Sequence, residues 1–264
     1  MNMDTEVYQK LLERVEKAEL EAARARAVTE IQNVASKFFW YHASFADNRI
    51  IEEGLWARNA PDIHAEFGVS GVYKGYENVI KFHLDRPRPA GKMLFHAIDT
   101  PIIEVAGDCK TAKGVWLLHG AEGGSVPADI NKDGEVFPEI IMTQREPYDG
   151  MRTWAHWAWA KYAMDFILED GKWRIWHFHG YDLMRAPWDM DWVSFAQRES
   201  KKMTQVNEKG NPVKLYDDKG DVVYMDTPDA PPTWTWAYDG ATTKYDVFPE
   251  PPVPYETFDD TFTY

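Results

Sequence analysis

Hydrophobic and polar positions change rhythm four times along the chain. In residues 4–27, Val7, Leu11, Val15, Ala18 and Ala22 recur at helical spacing among Glu, Lys, Arg and Ala. That pattern predicts a polar helix with a narrow apolar stripe. A helix this polar has little to bury on its own, so it is expected either to lie across a partner subunit or to fray as a leader. In residues 28–58, Ile31, Ala35, Phe38, His42 and Phe45 fall within a sector of roughly 80° at 100° per residue. They predict a second helix with His42 in the middle of its apolar face. Asp47-Asn48 is read as a break, Ile50 to Arg58 as a resumption and Pro61-Asp62 as a turn.

Residues 62–182 carry the strand signals. DIHAEFG and GVYKG are short and end in Gly, and YENVIKFHLDR is a short helical pattern that stops before Pro87. KMLFHAID, TPIIEV and TAKGVWLLHG read as strands, the last two joined by the turn AGDCK. The stretch from Ala121 to Met151 reads as a long polar insert. RTWAHWAWAKYAMDFIL and KWRIWHFHGYDL follow, joined by the hairpin turn Glu169-Asp170-Gly171. Trp154, Tyr162 and Phe166 lie on one face of the first of these strands, and Trp157, Trp159 and Ile167 on the other. Both faces are therefore expected to be covered. Beyond residue 183 the periodicity fades. One hairpin is predicted in NPVKLYDDKGDVVYM, and Pro249, Pro251, Pro252 and Pro254 argue for an extended arm held down by its aromatics. The expected organisation is a leader helix (1–27), a catalytic domain (28–185) and an extended C-terminal arm (186–264) packed on its own or a neighbouring subunit.

Charge narrows the function classes. The 264 residues carry 29 Lys and Arg against 43 Asp and Glu, a net charge of −14. This excludes a nucleic-acid binder held by phosphate contacts, and equally a polybasic membrane patch. No window approaches the ~18 apolar residues of a membrane span, and the first residues show no signal-peptide core; a cytoplasmic location is expected. The single cysteine, Cys109, excludes an intrachain disulfide and a Cys-based zinc site. Twelve Trp, thirteen Tyr and thirteen Phe supply flat apolar walls for a core, a ligand cavity or a subunit interface.

The aromatic cluster KFFWYH on a long helix, the run LFHAIDTPIIEVAGD followed by KTAKGVW, and the hairpin DFILEDGKWRIWHF resemble the SnoaL-like branch of the nuclear-transport-factor-2-like superfamily over roughly residues 25–185. The resemblance implies an α+β cone, a curved mixed sheet wrapped on helices around a deep hydrophobic cavity. It also implies proton-transfer chemistry without metal or organic cofactor, as in the family's polyketide cyclases, ketosteroid isomerases, dehydratases and deformylating lyases.

On that resemblance His96, shortly before Thr100-Pro101, stands where dehydratase-like members keep a general base or acid. Imidazole suits that work because its ordinary pKa lies near neutrality. Otherwise it is a core histidine bonded to backbone. Family dehydratases carry a Tyr and an Asp five residues apart on the long helix. Here Phe38 and Ala43 stand at those places, so Tyr41 and His42 are the candidates to supply the polar groups. Lys161 shares a strand face with Trp157, Trp159 and Asp165; desolvation would make it a base or an anion clamp, the alternatives being a salt bridge to Asp165 or an exposed edge. His177 and His179 are expected on one face with Trp173, Ile175 and Tyr181. Their spacing is a known metal-ligand spacing, but a full site needs a third ligand, with His119, His156 or Asp182 as candidates. Lining the cavity or a subunit interface is the preferred role, and no metal is expected.

Phe38, Trp116, Trp159 and Tyr162 complete the expected substrate walls. Asp129, Asn131, Asp133 and Gly134 fit the start of a calcium loop, but Ile140 stands where its bidentate Glu belongs, so a polar turn is expected. Nucleotide, GxSxG and HExxH motifs are absent. The expected activity is a cofactor-independent lyase acting on a hydrophobic aromatic or polycyclic small molecule, by dehydration or retro-aldol loss of a small carbonyl. Isomerase or cyclase chemistry, or simple binding of an aromatic ligand, is the alternative. The chain is expected to form a homodimer or homotrimer.

Overall fold

In the computed structural model, residues 3–84, 90–130, 142–143, 149–194, 213–216, 219, 221–224, 227–234, 238–244 and 246–264 are described. Strong helix formers fill the first forty residues without a Gly or Pro, and they build one continuous helix, α1 (Met3–Ala43). The two helices expected on either side of residue 27 are therefore joined, because nothing at Ala27-Val28-Thr29 breaks the backbone ladder. Residues 5–22 stand in solvent, while Ala27, Ile31, Ala35, Phe38 and Phe39 are buried. The chain then reverses through Phe45, whose φ is 51°, into α2 (Asn48–Glu52).

The strands follow as β1 (His64–Glu66), β2 (Val72–Lys74), β3 (Met93–Ile98), β4 (Ile102–Val105), β5 (Thr111–Pro127), β6 (Met151–Glu169) and β7 (Lys172–Pro187), with α3 (Tyr76–Lys81) after β2. They form one mixed seven-stranded sheet in the order β2-β1-β7-β6-β5-β3, with β4 also paired to β5. Only β1 and β7 run parallel. Asp170 (φ 52°) and Gly171 (φ 71°) make the two-residue turn between β6 and β7, the geometry that suits a tight hairpin. β8 (Val213–Tyr216) and β9 (Val222–Tyr224) pair as a separate hairpin. Among the described residues no helix is long and apolar enough to cross a membrane.

Strand register defines two faces. Trp116 pairs with Tyr162, Leu118 with Ala160 and Met164 with Phe178 on the inner face, against α1. Val115, Ala163 and Tyr181 lie on the outer face, under Trp234 and Tyr264. The arm thus covers its own sheet: Val72 donates to the Ala230 carbonyl at 2.9 Å and Gly107 to the Tyr255 carbonyl at 2.8 Å.

Two β-bulges break the period-two reading of β7. Register shifts leave Trp176 and Leu183 without opposite residues on β6. Trp173 and Ile175 consequently join the inner core, while His177, His179 and Tyr181 face outward. The expectation that all five share a face fails for that reason. The second bulge switches parity back, so that Asp182 and Arg185 both pair with inner-face positions of β6. Bulges commonly re-aim side chains in this way beside functional sites.

Candidate active site

Four strands, the α1–α2 corner and the turn after α3 bring seven ionisable side chains together on the inner side. His96 on β3 and Glu122 on β5 occupy neighbouring inner positions, and His96 Nε2 lies 3.0 Å from Glu122 Oε1. Arg185 from β7 reaches the same carboxylate at 3.1 Å, and His156 from β6 approaches its other oxygen at 3.7 Å. Burial alone would raise the Glu122 pKa. The Arg185 guanidinium, then His156 and His96, outweigh it and hold the carboxyl well below the usual range. Glu122 is therefore ionised and accepts only, so His96 Nε2 must donate to it. Nδ1 of His96, an acceptor in the neutral ring, is buried and without a hydrogen-bond partner among the described residues. Burial, opposed by Glu122, lowers the His156 pKa, favouring the neutral ring.

Gly120 makes room for His96. A methyl group there would stand 2.9 Å from the His96 ring and would press on the Phe95 carbonyl.

A second buried pair faces the first. His42 Nδ1 lies 2.9 Å from Asp47 Oδ1, and the His42 and His96 ring centroids are 5.7 Å apart. Asp47 also receives His83 Nδ1 at 3.2 Å, while the Trp56 indole donates to His83 Nε2 at 3.3 Å. An indole nitrogen can only donate, which fixes the His83 tautomer with its proton on Nδ1. Both imidazoles thus point a donor at one carboxylate. Phe38 packs over this group, 6.3 Å from His42 and 5.4 Å from His83. Tyr162 stacks on Phe39 at 5.1 Å on the same face. Burial, then Asp182, pushes its phenol upward, so it stays protonated.

The structure brings His96, His42, Phe38, Trp116 and Tyr162 to the inner side of the sheet, and places the other candidates elsewhere. Tyr41, one residue before His42, turns away from His96. Its hydroxyl donates to Glu53 at 2.6 Å and Arg49 lies over its ring. With Lys37 and Arg49 also bonded, Glu53 is lowered to about 2. Lys161 is on the outer face and donates to the Phe248 carbonyl at 2.5 Å, because odd-numbered β6 positions point outward. Trp159 follows the same parity and packs edge-on against Trp192 at 5.0 Å. His177 pairs with Asp165 at 2.9 Å and His179 with Glu66 at 3.2 Å, both outside the inner cluster. Of the suggested third ligands, His119 lies on the outer face beside Asp99 and Asp182 on the inner face beside Arg185. The suggested calcium loop continues into 131–141, outside the described residues.

Sequence reasoning missed Glu122, Asp47, His83 and Arg185. Glu122 sits in GAEGGS, whose composition reads as the start of a polar insert, yet β5 runs on to Pro127. The available signal was the register: any strand opposite KMLFHAID must continue past Gly120 to pair with Met93.

Residues 23–179 match the family model of the SnoaL-like domain. No curated protein matches the chain in sequence. Among solved structures, a type 2 hexachlorocyclohexane dehydrochlorinase aligns at 14% identity and a TM-score of 0.46, over 63% of this chain and 92% of its own. A protein of Novosphingobium aromaticivorans provisionally assigned as a scytalone dehydratase aligns at 10% identity and a TM-score of 0.44, over 65% and 94%. A dehydrochlorinase of Novosphingobium barchaimii aligns at 15% identity and a TM-score of 0.44, over 63% and 93%.

Proposed function

The chain belongs to the SnoaL-like domain family, and on that premise we propose that it is a lyase working by acid–base chemistry of its own side chains on a hydrophobic aromatic or polycyclic small molecule. One observation carries the reading: His96 has one nitrogen fixed by an ionised carboxylate and the other buried with its lone pair unused. Such a nitrogen is a general base held in one tautomer.

In the proposed step, His96 Nδ1 takes a proton from a substrate O–H or C–H. For loss of water the proton comes from C–H, its electron pair becomes the new C=C bond, and the neighbouring C–O bond breaks onto the oxygen, which is protonated and leaves as water. For loss of a small carbonyl the proton comes from O–H, its electron pair becomes the C=O bond of the departing fragment, and the C–C bond breaks onto the carbon that stays behind, which is then protonated. The imidazolium formed on His96 is stabilised by Glu122, whose charge is already in place. His42, in its imidazolium form with Nδ1–H kept on Asp47, gives the proton to the leaving side from Nε2. Phe38 and Trp116 supply apolar walls that hold the substrate and exclude water. Tyr162 orients it through a phenol that remains protonated.

The His96→Ala variant, assayed on a panel of hydroxylated aromatic and polycyclic compounds, tests this. Turnover falls by ~100-fold or more if His96 is the base. A protein that only binds such compounds shows no turnover in either form and loses only modest affinity.

We also infer self-association. Met93, Phe95, Leu117 and Trp157 on the outer sheet face are 43–55% exposed, and Val7, Leu11 and Val15 line the solvent-facing part of α1. Apolar stretches of this kind favour a subunit interface. Sedimentation equilibrium gives a mass above 30.5 kDa at micromolar concentration; a species at the chain mass ends the proposal.

A further inference from the structure

The outer face holds a second ionisable cluster that the proposed chemistry does not use. Asp165 is fully buried at its centre. Lys113 Nζ lies 2.5 Å from its Oδ1, and the backbone N–H of Tyr264 donates to its Oδ2 at 2.9 Å. His177, 1% exposed, lies with Nδ1 2.9 Å from the same Oδ2. Because an ionised carboxylate only accepts, His177 carries its proton on Nδ1. Nε2 therefore holds a lone pair, and it has no hydrogen-bond partner among the described residues. A carboxylate fixing one imidazole nitrogen so that the other can ligate is the recurrent arrangement behind metal-bound histidines.

His64 stands directly opposite His177 in the β1–β7 register, with the two rings stacked at 4.2 Å. Its surroundings pose a proton problem. Nδ1 lies 2.8 Å from the Asp62 carbonyl and Nε2 lies 3.2 Å from the Tyr264 carbonyl. A neutral imidazole has one N–H to offer, and both neighbours are acceptors. In the neutral ring one His64 nitrogen thus turns its lone pair on a carbonyl oxygen, a contact relieved by a second ring proton or by a cation between the two. Asp62 precedes β1 in a turn with φ 54°, and Trp176 Nε1 pins that turn by donating to the Pro61 carbonyl at 2.6 Å. A carboxylate oxygen of Asp62 and one ring nitrogen each of His64 and His177 lie within 4.8 Å of one another.

We propose that Asp62, His64 and His177 form a binding site for one divalent first-row cation, zinc in the first instance, on the outer face of the sheet. Two imidazoles and a carboxylate are a ligand set that zinc takes in a tetrahedral arrangement with a fourth, exchangeable position. Donors at 2.0–2.2 Å from zinc stand about 3.4 Å apart in that geometry, so the three must draw in by roughly 1 Å. The exposed Asp62 side chain supplies part of that movement, and the half-buried His64 ring, stacked on His177 with the two planes 19° apart, must also turn so that both in-plane lone pairs meet one ion. His64 gives up one of its two carbonyl contacts, the one an N–H cannot satisfy. The spacing of His177 and His179 drew attention to metal, but the partners of His177 are on β1 and in the turn before it. His179 pairs with Glu66 instead.

The full chain, stripped with a chelator and dialysed, is titrated with zinc chloride by calorimetry, and cobalt is bound in parallel to read coordination from its visible absorption. The site predicts one zinc per chain, a four-coordinate cobalt spectrum, and at least a tenfold loss of affinity in Asp62→Asn and in His64→Gln. His119→Ala, altering an exposed histidine beside Asp99, leaves binding unchanged. Absence of binding at ~100 μM zinc, far weaker than an ordinary structural zinc site, overturns the proposal. So does equal binding in the wild type and both variants. Asp62→Asn and His64→Gln decide the matter even if His177→Gln fails to fold. Loss of zinc binding leaves the reading of His96 untouched, since the two clusters lie on opposite faces.

Discussion

The two faces of the sheet are built on the same plan and finished differently. Each has a buried carboxylate, a cation locked onto it and an imidazole whose proton that carboxylate fixes: Glu122, Arg185 and His96 inside, Asp165, Lys113 and His177 outside. Inside, a second histidine, His42, faces the cluster across 5.7 Å from a different carboxylate. Outside, backbone from the end of the chain closes the cluster, with Tyr264 donating to Asp165 and the Phe262 carbonyl accepting from Lys113. The same three-part unit leaves an imidazole nitrogen open where side chains surround it, which the proposed chemistry uses, and is tied down where main chain saturates it.

Removing the carboxylate from each unit separates the two roles most sharply. Glu122→Gln and Asp165→Asn each leave a buried cation without its partner, and each should cost about 3–5 kcal/mol of stability, read from denaturant midpoints. Only Glu122→Gln should also lower turnover of the folded fraction, by about 100-fold. Equal losses of turnover would mean that the outer cluster belongs to the chemistry.

Gly120→Ala probes the inner unit alone. Crowding the His96 ring and the Phe95 carbonyl should cost about 1–3 kcal/mol and displace the base, with turnover falling more than stability predicts. A variant with native turnover would place the reacting nitrogen elsewhere.

Acid acts on both faces at once. Burial lowers the pKa of His156 inside and His177 outside. The unfolded chain then binds protons that the folded chain does not, starting near the ordinary histidine value of about 6.5, so stability rises with pH through that range and falls below it. Glu122, also lowered, adds a further loss at more acid pH, as its contribution disappears through its folded-state pKa. Urea midpoints measured from pH 8 to 5 should decline on the acid side; a flat profile would show that both imidazoles take up protons in the fold as they do in the unfolded chain.

The smallest effects belong to residues that share a segment with the site but not its face. Tyr41→Phe and Lys161→Ala should change turnover by less than about twofold, because their polar atoms are engaged with Glu53 and the Phe248 carbonyl. A larger drop in kcat would return either one to the chemistry.

Which parts were legible follows from how local each signal is. The β6–β7 turn, the common face of Lys161, Trp157, Trp159 and Asp165, and the inward placement of Phe38 and His42 rest on spacing within one element, and spacing is written in the sequence; which side of the sheet holds the Lys161 face is not. The bulges at Trp176 and Leu183 are not: each depends on what β6 offers opposite, and each reverses the face of everything beyond it. That is why Ile175 and His177 part company, and why Arg185 reaches Glu122. Tyr41 and His42 were both attractive as polar groups on an aromatic helix, yet adjacent helical residues diverge by ~100° and only one can face His96. The arm's aromatics announced docking, but composition carries no address; its seat on the outer face emerges only once Asp165 and Lys113 are seen side by side.

The closing of the outer face also bears on the order of assembly. Its clasp ties Lys113 to Phe262 and His64 to Tyr264, contacts 149 and 200 positions apart along the chain, whereas β6 and β7 are joined through two residues. Loop closure over such separations is entropically costly and slow to be rewarded. The β6–β7 hairpin and its pairing with β5 can therefore form early, and the arm closes after the strands it seats on are paired. During that interval Asp165, Lys113 and a row of outward aromatics stand bare. The time between the two events, more than the final stability, sets how long the nascent chain exposes its most adhesive surface.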